Sequence, residues 1–288
     1  MKRVLKNGTL VLLAATIAVG CGNGSGQNGE KKPHRAVITQ KGSDTMVLLA
    51  QAWAEKFGQK NANTEVQVTG GGSGTGISAL INGTTDIANA SRPMNDQERQ
   101  QIRQKYGSDV VEIPVAKDGI AIYVNASNPI DAISVEQLRG IYAGTITNWK
   151  GIGGPDATII LYGRENSSGT YAFFKEHVLN KGDFASTTQT LPGTAGVVNA
   201  VAKDRNGIGY GGEAYGSTEI KMLRMISENG MAVEPGEENV RSGAYPLARD
   251  LYFYLRQQPA GATKEYIDWV LGPEGQAVVR EVGYFPIK

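Results

Sequence analysis

Two tripeptides recur in the same setting. Ser73-Gly74-Thr75 and Ser168-Gly169-Thr170 each fall between a strand-like run and a helix-like run, and Gly42-Ser43-Asp44-Thr45 is a third turn of this kind. Each offers hydroxyls beside the uncapped N–H groups of a helix start. There the orphan donors and the positive end of the helix dipole both favour an anion. Serine and threonine also cap helices, and for any one turn capping is the plainer account. Three turns together, one of them behind an arginine, favour an anion site. That arginine is Arg164, in Gly163-Arg164-Glu165-Asn166-Ser167-Ser168. Its guanidinium presents a bidentate fork to an oxyanion, with Glu165 available to hold it. Arg92, after Asp86-Ile87-Ala88-Asn89-Ala90-Ser91, is a second candidate cation.

Other chemistries fit less well. Gly74-Thr75-Gly76-Ile77-Ser78-Ala79 follows a strand and opens a helix, as dinucleotide fingerprints do, but the acidic residue expected about 20 positions later is missing. Gly207-Ile208-Gly209-Tyr210-Gly211-Gly212 matches the letters and precedes no clear helix. No phosphate-loop sequence with its lysine is present. A serine hydrolase reading fails at Ser73, where the second glycine of the nucleophile elbow is replaced by Thr75. The only imidazole bases are His34, in a polar tether, and His177, on a polar helix face. Trp53, Trp149 and Trp269 read as packing residues.

The turns need a frame of alternating strands and helices. Residues 36–39 read as a strand, and residues 46–57 as a helix with Met46, Leu49, Ala50, Trp53 and Phe57 at helical spacing. Residues 64–69 alternate as a strand, residues 77–81 open a helix, 86–88 form a short strand and 95–106 a polar surface helix. Residues 110–115 and 119–124 look like two strand pieces joined across Ala116-Lys117-Asp118. Helix at 135–142, strand at 158–162, and helices at 171–178 and 194–203 follow. Short strands at 208–210, 220–223 and 252–255 precede closing helices at 264–271 and 274–282. The rhythm predicts an α/β protein with parallel pairing and flanking helices.

Composition narrows the functions. The 288 residues carry 29 basic and 28 acidic side chains, one cysteine and two histidines. That balance excludes a strongly basic nucleic-acid binder, and these counts exclude a disulfide framework and disfavour an all-protein metal site. Glycine, at 38 residues, is about 13% of the chain against roughly 7% ordinarily. Lys2, Arg3 and Lys6 precede an apolar run over residues 10–19, too short to span a bilayer, that ends in Ala18-Val19-Gly20-Cys21. This ending resembles the lipobox of bacterial lipoproteins, whose cysteine takes the lipid. Cleavage there leaves 26 basic and 28 acidic residues, a formal charge of about −2. Residues 22–32 are a polar tether without a packing pattern.

The folded part resembles, over about 250 residues, the phosphate-binding proteins that serve ATP-driven phosphate importers. The likeness is carried by Lys41-Gly42-Ser43-Asp44-Thr45, Gly71-Gly72-Ser73-Gly74-Thr75-Gly76, Asp86 to Met94, Trp149-Lys150-Gly151-Ile152-Gly153-Gly154-Pro155, Arg164 to Thr170, Gly207-Ile208-Gly209-Tyr210, Tyr245-Pro246-Leu247 and Gly272-Pro273-Glu274-Gly275-Gln276. It implies a two-lobed periplasmic-binding-protein type II fold, with a mixed sheet in each lobe, flanking helices and a two-strand hinge. It implies ligand contacts from Thr45, the backbone N–H of Met46, Ser73, Arg164, Ser168, Gly169 and Thr170. Well-studied members place an aspartate, which accepts the proton of protonated phosphate, where this chain has Ser91 followed by Arg92. Asp44 is an alternative acceptor.

The expectations are therefore specific. Residues 1–20 form a lipoprotein signal peptide and 21–35 a tether from lipidated Cys21. Residues 36–115 with 249–288 form lobe I and 116–248 lobe II, hinged near 115–120 and 250–254. The chain is an exported, envelope-anchored monomer that binds inorganic phosphate and meets a membrane permease. It uses no cofactor or metal, binds no nucleic acid and is no enzyme. The alternatives are another tetrahedral oxyanion (sulfate or molybdate), a secreted phosphoester hydrolase, or an envelope module that has lost its ligand.

Overall fold

The computed structural model describes residues 35–227 and 229–287. The signal peptide, Cys21, the tether up to residue 34 and His34 lie outside the described residues. Strand β1 (Ala36–Gly42) passes through a 3-10 turn (Asp44–Met46) into α1 (Val47–Lys60), and β2 (Thr64–Thr69) leads to α2 (Ser73–Asn82). Then come β3 (Ile87–Ala90), α3 (Asp96–Tyr106), β4 (Val111–Asn125), β5 (Ala132–Ser134) and α4 (Val135–Tyr142). β6 (Ile160–Arg164), α5 (Gly169–His177), β7 (Gln189–Leu191), α6 (Gly193–Lys203) and β8 (Gly207–Gly212) follow. The chain continues through β9 (Ile220–Ile226), β10 (Ala232–Val233), α7 (Glu237–Ser242) and β11 (Ala248–Leu255). Two helices, α8 (Gly261–Leu271) and α9 (Pro273–Val282), close it.

Local chemistry sets the helix ends. Asn95 and Glu98 form a capping box at the start of α3, and left-handed Gly107 stops it. Ser134 and Gln137 do the same for α4. Pro273 starts α9 where its missing N–H costs nothing, and Gly283 ends it. α1 buries Leu49, Ala50, Trp53 and Phe57, the stripe its spacing predicts.

The main path of strands runs β2-β1-β3-β11-β4-β8-β6-β7. β1 pairs parallel with β2 and β3, and β6 pairs parallel with β7 and β8. β11 is antiparallel to both β3 and β4. β4 pairs with β11 over Val111 to Gly119, then with β8 and β9 from Ile120 and Ile122 onward. The apolar core changes at this handover. Ile38, Trp53, Phe57, Val115, Leu251 and Tyr266 belong to one cluster, whereas Ile120, Ile122, Tyr142, Phe174 and Tyr210 belong to another.

Two strands differ from the sequence reading, and a third explains a glycine run. β4 is one continuous strand of 15 residues rather than two pieces. Its joining residues do not alternate, but Lys117 lies opposite Asp250 and Asp118 opposite Arg249, each pair ionic at 2.7 Å. Cross-strand charge pairs hold the ladder where apolar residues are absent. β6 begins at Ile160 because Thr158 bridges to Asn148 instead. β8 is buried along its whole length and rich in glycine for a steric reason. A Cβ at Gly209 would lie 2.5 Å from Val197 Cγ1, and one at Gly211 would lie 2.6 Å from Thr194 Cγ2, so α6 rests directly on the strand.

Trp53 and Trp149 are buried, and their indoles donate to the carbonyls of Gly275 and Asn206 at 2.8 and 3.1 Å. Among the described residues no helix is long and apolar enough to cross a membrane, and no cluster of His, Cys, Asp and Glu is placed to hold a metal ion.

Candidate functional site

Three helix starts meet where the sequence places its three turns. Ser43 precedes the 3-10 turn and makes no cap there; its hydroxyl donates to Ser91 Oγ at 2.9 Å. Ser73 is the first residue of α2 behind Gly72, and it also leaves its helix uncapped. Its Oγ accepts the backbone N–H of Ser91 at 3.1 Å and lies 3.3 Å from Ser91 Oγ. Ser168 is different: it is the N-cap of α5 and accepts the N–H of Tyr171 at 3.3 Å. Capping therefore accounts for Ser168 but not for Ser43 or Ser73. Thr45 Oγ1 meets Thr170 Oγ1 at 2.9 Å, across 125 residues of sequence. All of these hydroxyl residues are buried.

Glycine allows the approach. Gly72 has φ +91°, and a Cβ there would stand 2.5 Å from the Ser167 carbonyl oxygen. The N–H of Gly74 donates to that same carbonyl at 2.9 Å. A Cβ on Gly169 would lie 2.3 Å from Ser73 Oγ and 2.6 Å from Ser91 Oγ. The start of α5 is thus pressed onto the start of α2 and the end of β3.

Arg164 ends β6 and is 2% exposed. Its Nη2 donates to Asp44 Oδ2 and its Nη1 to Thr194 Oγ1, both at 2.9 Å, while Nε is buried without a partner. Glu165, the expected brace, stands 3.6 Å away, so Asp44 of the first turn is the closer counter-ion. Asp44 is engaged on both oxygens, because its Oδ1 accepts the N–H of Gly71 at 2.8 Å. Tyr215 donates to the Asp44 carbonyl at 2.6 Å and Tyr284 donates to the Thr45 carbonyl. Burial pushes the Tyr215 phenol up to about 12 and raises the Tyr284 phenol well above its ordinary value, so both remain donors that hold the first turn in place.

The sequence reading missed one buried cation. Arg249 of β11 donates through Nε and Nη2 to Asp118 Oδ2 at 2.9 and 2.7 Å, through Nη1 to the Ser91 carbonyl at 3.1 Å, and through Nη2 to Thr45 Oγ1 at 3.4 Å. A signal was present: an arginine in one apolar strand and an aspartate in another make a candidate buried pair. Burial pushes the Asp118 carboxyl up while Arg249 pulls it down.

Other candidate groups have partners of their own. Arg92 forms a bidentate pair with Glu98 at 2.7 and 2.9 Å and donates to the Pro93 carbonyl, so it does not join the hydroxyls. The Met46 N–H donates to the Ser43 carbonyl at 3.0 Å. His177 is exposed and packs on the Phe173 ring, with centroids 4.0 Å apart. A cavity of about 680 Å³ touches Arg92, Asn166, Phe173, His177, Arg249 and Tyr252; the buried hydroxyls do not line it, and Arg249 is the lining residue that also contacts Thr45. The arrangement offers a small oxyanion many donors in a buried setting, with two guanidinium groups in contact with its turns.

A model described as the PBP superfamily domain matches residues 24–274. The phosphate-binding protein PstS of Pseudomonas aeruginosa is 36% identical over 267 residues, covering 87% of this chain and 83% of its own. PstS of Staphylococcus aureus is 31% identical over 293 residues, covering 99% and 88%. A Clostridium perfringens protein solved with bound phosphate matches at a TM-score of 0.79 and 29% identity, over 88% of this chain and 100% of that one. An ABC-type phosphate transport receptor of Vibrio cholerae matches at 0.70 and 30% identity, over 86% and 99%.

Proposed function

The chain belongs to the PstS-like phosphate-binding proteins of the PBP superfamily, with the type II fold, and on that premise we propose that it captures inorganic phosphate among these buried hydroxyls. The observation that carries this reading is the convergence of Thr45, Ser73, Ser91 and Thr170 from four separate segments, with Gly169 pressed against them and Arg164 behind. Hydroxyls and the N-terminal amides of α2 and α5 donate to the phosphate oxygens. Arg164 supplies charge, held in position by Asp44 and Thr194. No bond of the ligand is broken.

The architecture is compatible with a delivery role. Residues 36–115 with 249–288 act as one lobe and 116–248 as the other, and β4 and β11 flex between them as phosphate draws the lobes together. A membrane permease of an ABC importer recognises the closed form. The protein works as a monomer outside the cytoplasmic membrane, tethered by a lipid on Cys21. Replacing Cys21 with serine should move it from the membrane fraction to the soluble fraction of cells.

The site test is calorimetry on Arg164→Ala. Loss of this charge-assisted contact should cost about 2–5 kcal/mol of phosphate binding. Binding within about twofold of wild type would remove Arg164 from the site. A second reading, sulfate or a similar tetrahedral oxyanion, draws support from the acceptors: Ser91 stands where the family has an aspartate, and Asp44 is already engaged on both oxygens. Titrations of phosphate and sulfate from pH 5 to 9 separate the two, since equal affinities would defeat phosphate specificity.

A further inference from the structure

We propose that Arg249, braced by Asp118, is a positioning residue of the oxyanion site that fixes Thr45 as a hydrogen-bond donor and contributes the positive charge that Arg92 does not. The proposal rests on the phosphate reading above. Arg249 and Asp118 face each other in the β11–β4 register, and both are buried. Their geometry is not that of a pair built for stability alone. An arginine and a carboxylate ordinarily meet fork to fork, with two nitrogens on two oxygens. Here Nε and Nη2 both converge on Oδ2, and Oδ1 accepts nothing from the guanidinium. The turned guanidinium instead brings Nη1 to the Ser91 carbonyl at 3.1 Å and Nη2 to Thr45 Oγ1 at 3.4 Å.

A guanidinium has no lone pair to offer, so towards Thr45 it only donates. Donation into Thr45 Oγ1 biases that hydroxyl to pass its own proton on, towards Thr170 Oγ1 or an oxyanion. The contact with the Ser91 carbonyl fixes the end of β3, where the Ser91 N–H donates to Ser73 Oγ. The Phe173 ring of α5 stands 5.7 Å from the guanidinium carbon, so the helix that carries Thr170 also covers Arg249. Arg249 thereby touches three of the segments that form the cluster, while Arg92 is neutralised by Glu98. Asp118 sets how much of the Arg249 charge the site receives.

The test uses the folded chain with calorimetric titration of inorganic phosphate and, in parallel, thermal melting. Arg249→Gln should weaken phosphate binding roughly tenfold or more, and Arg249→Lys should recover part of the loss. Asp118→Asn keeps the shape and one acceptor oxygen but removes the opposing charge, so it should bind phosphate roughly tenfold more tightly, with a steeper salt dependence. A purely structural pair predicts the opposite binding pattern: both variants bind more weakly together, in step with their lower melting. Weaker or unchanged binding by Asp118→Asn, or unchanged binding by Arg249→Gln, overturns the proposal. If Asp118→Asn does not fold, lysine performing no better than glutamine at 249 overturns it. Wild-type protein that binds no phosphate would defeat the phosphate reading itself, a distinct result.

Discussion

In the proposed phosphate site, Ser91 is the residue at which chemistry and selectivity would meet. Its hydroxyl accepts from Ser43, lies beside Ser73 and sits on a backbone held by Arg249. A hydroxyl donates or accepts, whereas a carboxylate only accepts. Ser91→Asp would therefore set an acceptor against the ligand. It should keep phosphate, which can offer a P–OH proton, and reject sulfate, whose oxygens would face the carboxylate unpaired. Sulfate affinity should fall at least tenfold relative to phosphate in paired titrations, corresponding to roughly 1.4 kcal/mol. An unchanged ratio would show that Ser91 does not face the anion. The three serine- and threonine-bearing turns were legible in the sequence because residue type and local spacing identify a helix start. The partners of Arg164 were not. Glu165 is its neighbour in sequence, yet Asp44, 120 positions away, is the closer carboxylate.

At the scale of elements, the site depends on helix starts brought within contact of one another. α5 can rest on α2 and β3 only because residue 169 has no side chain. Gly169→Ala should force the contact apart and cost about 1–3 kcal/mol, as overpacking typically does. The loss should appear more strongly in phosphate titration than in melting, because the strained contact lies between turns rather than within a core. An alanine variant with wild-type affinity would mean that α5 need not approach Ser73 during binding. The glycine run of β8 has another origin, the close seat of α6 on Gly209 and Gly211. Sequence alone signalled that glycine was abundant there, but the packing helix supplies the reason.

Across the whole molecule, β4 changes partners from β11 to β8 and β9, and the apolar clusters change with it. If binding closes the molecule about this region, phosphate should reduce the radius of gyration in small-angle scattering, and Arg164→Ala should abolish that change. An identical radius with and without saturating phosphate would sink the closure. Stability should also carry a pH signature. Glu213, just beyond β8, is pushed up to about 7 by burial first and then by the charges of Asp118 and Glu234. Because this lies above its ordinary 4.5, the folded chain keeps a proton there that the unfolded chain has released. Stability should therefore fall as pH rises from about 4.5 to about 7, and then stay level. Glu213→Gln should remove that fall, gaining about 1 kcal/mol at pH 8 after allowance for partial solvent screening, with little change at pH 4. Parallel melting curves for the two proteins across this range would exclude Glu213 as the source.

By itself the sequence determined the α/β rhythm, the helix starts, the family and the hydroxyl turns, because these rest on local periodicity, capping chemistry and fixed spacing. Tertiary structure decided which charges meet. Arg164 joins Asp44, Arg249 joins Asp118 and Arg92 turns to Glu98, and the first two pairings span more than a hundred residues. Long-range pairing is set by strand register and by the high cost of burying a lone charge, neither of which a local pattern encodes. The continuity of β4 belongs to the same class. Lys117 and Asp118 look like a break until Asp250 and Arg249 lie opposite them.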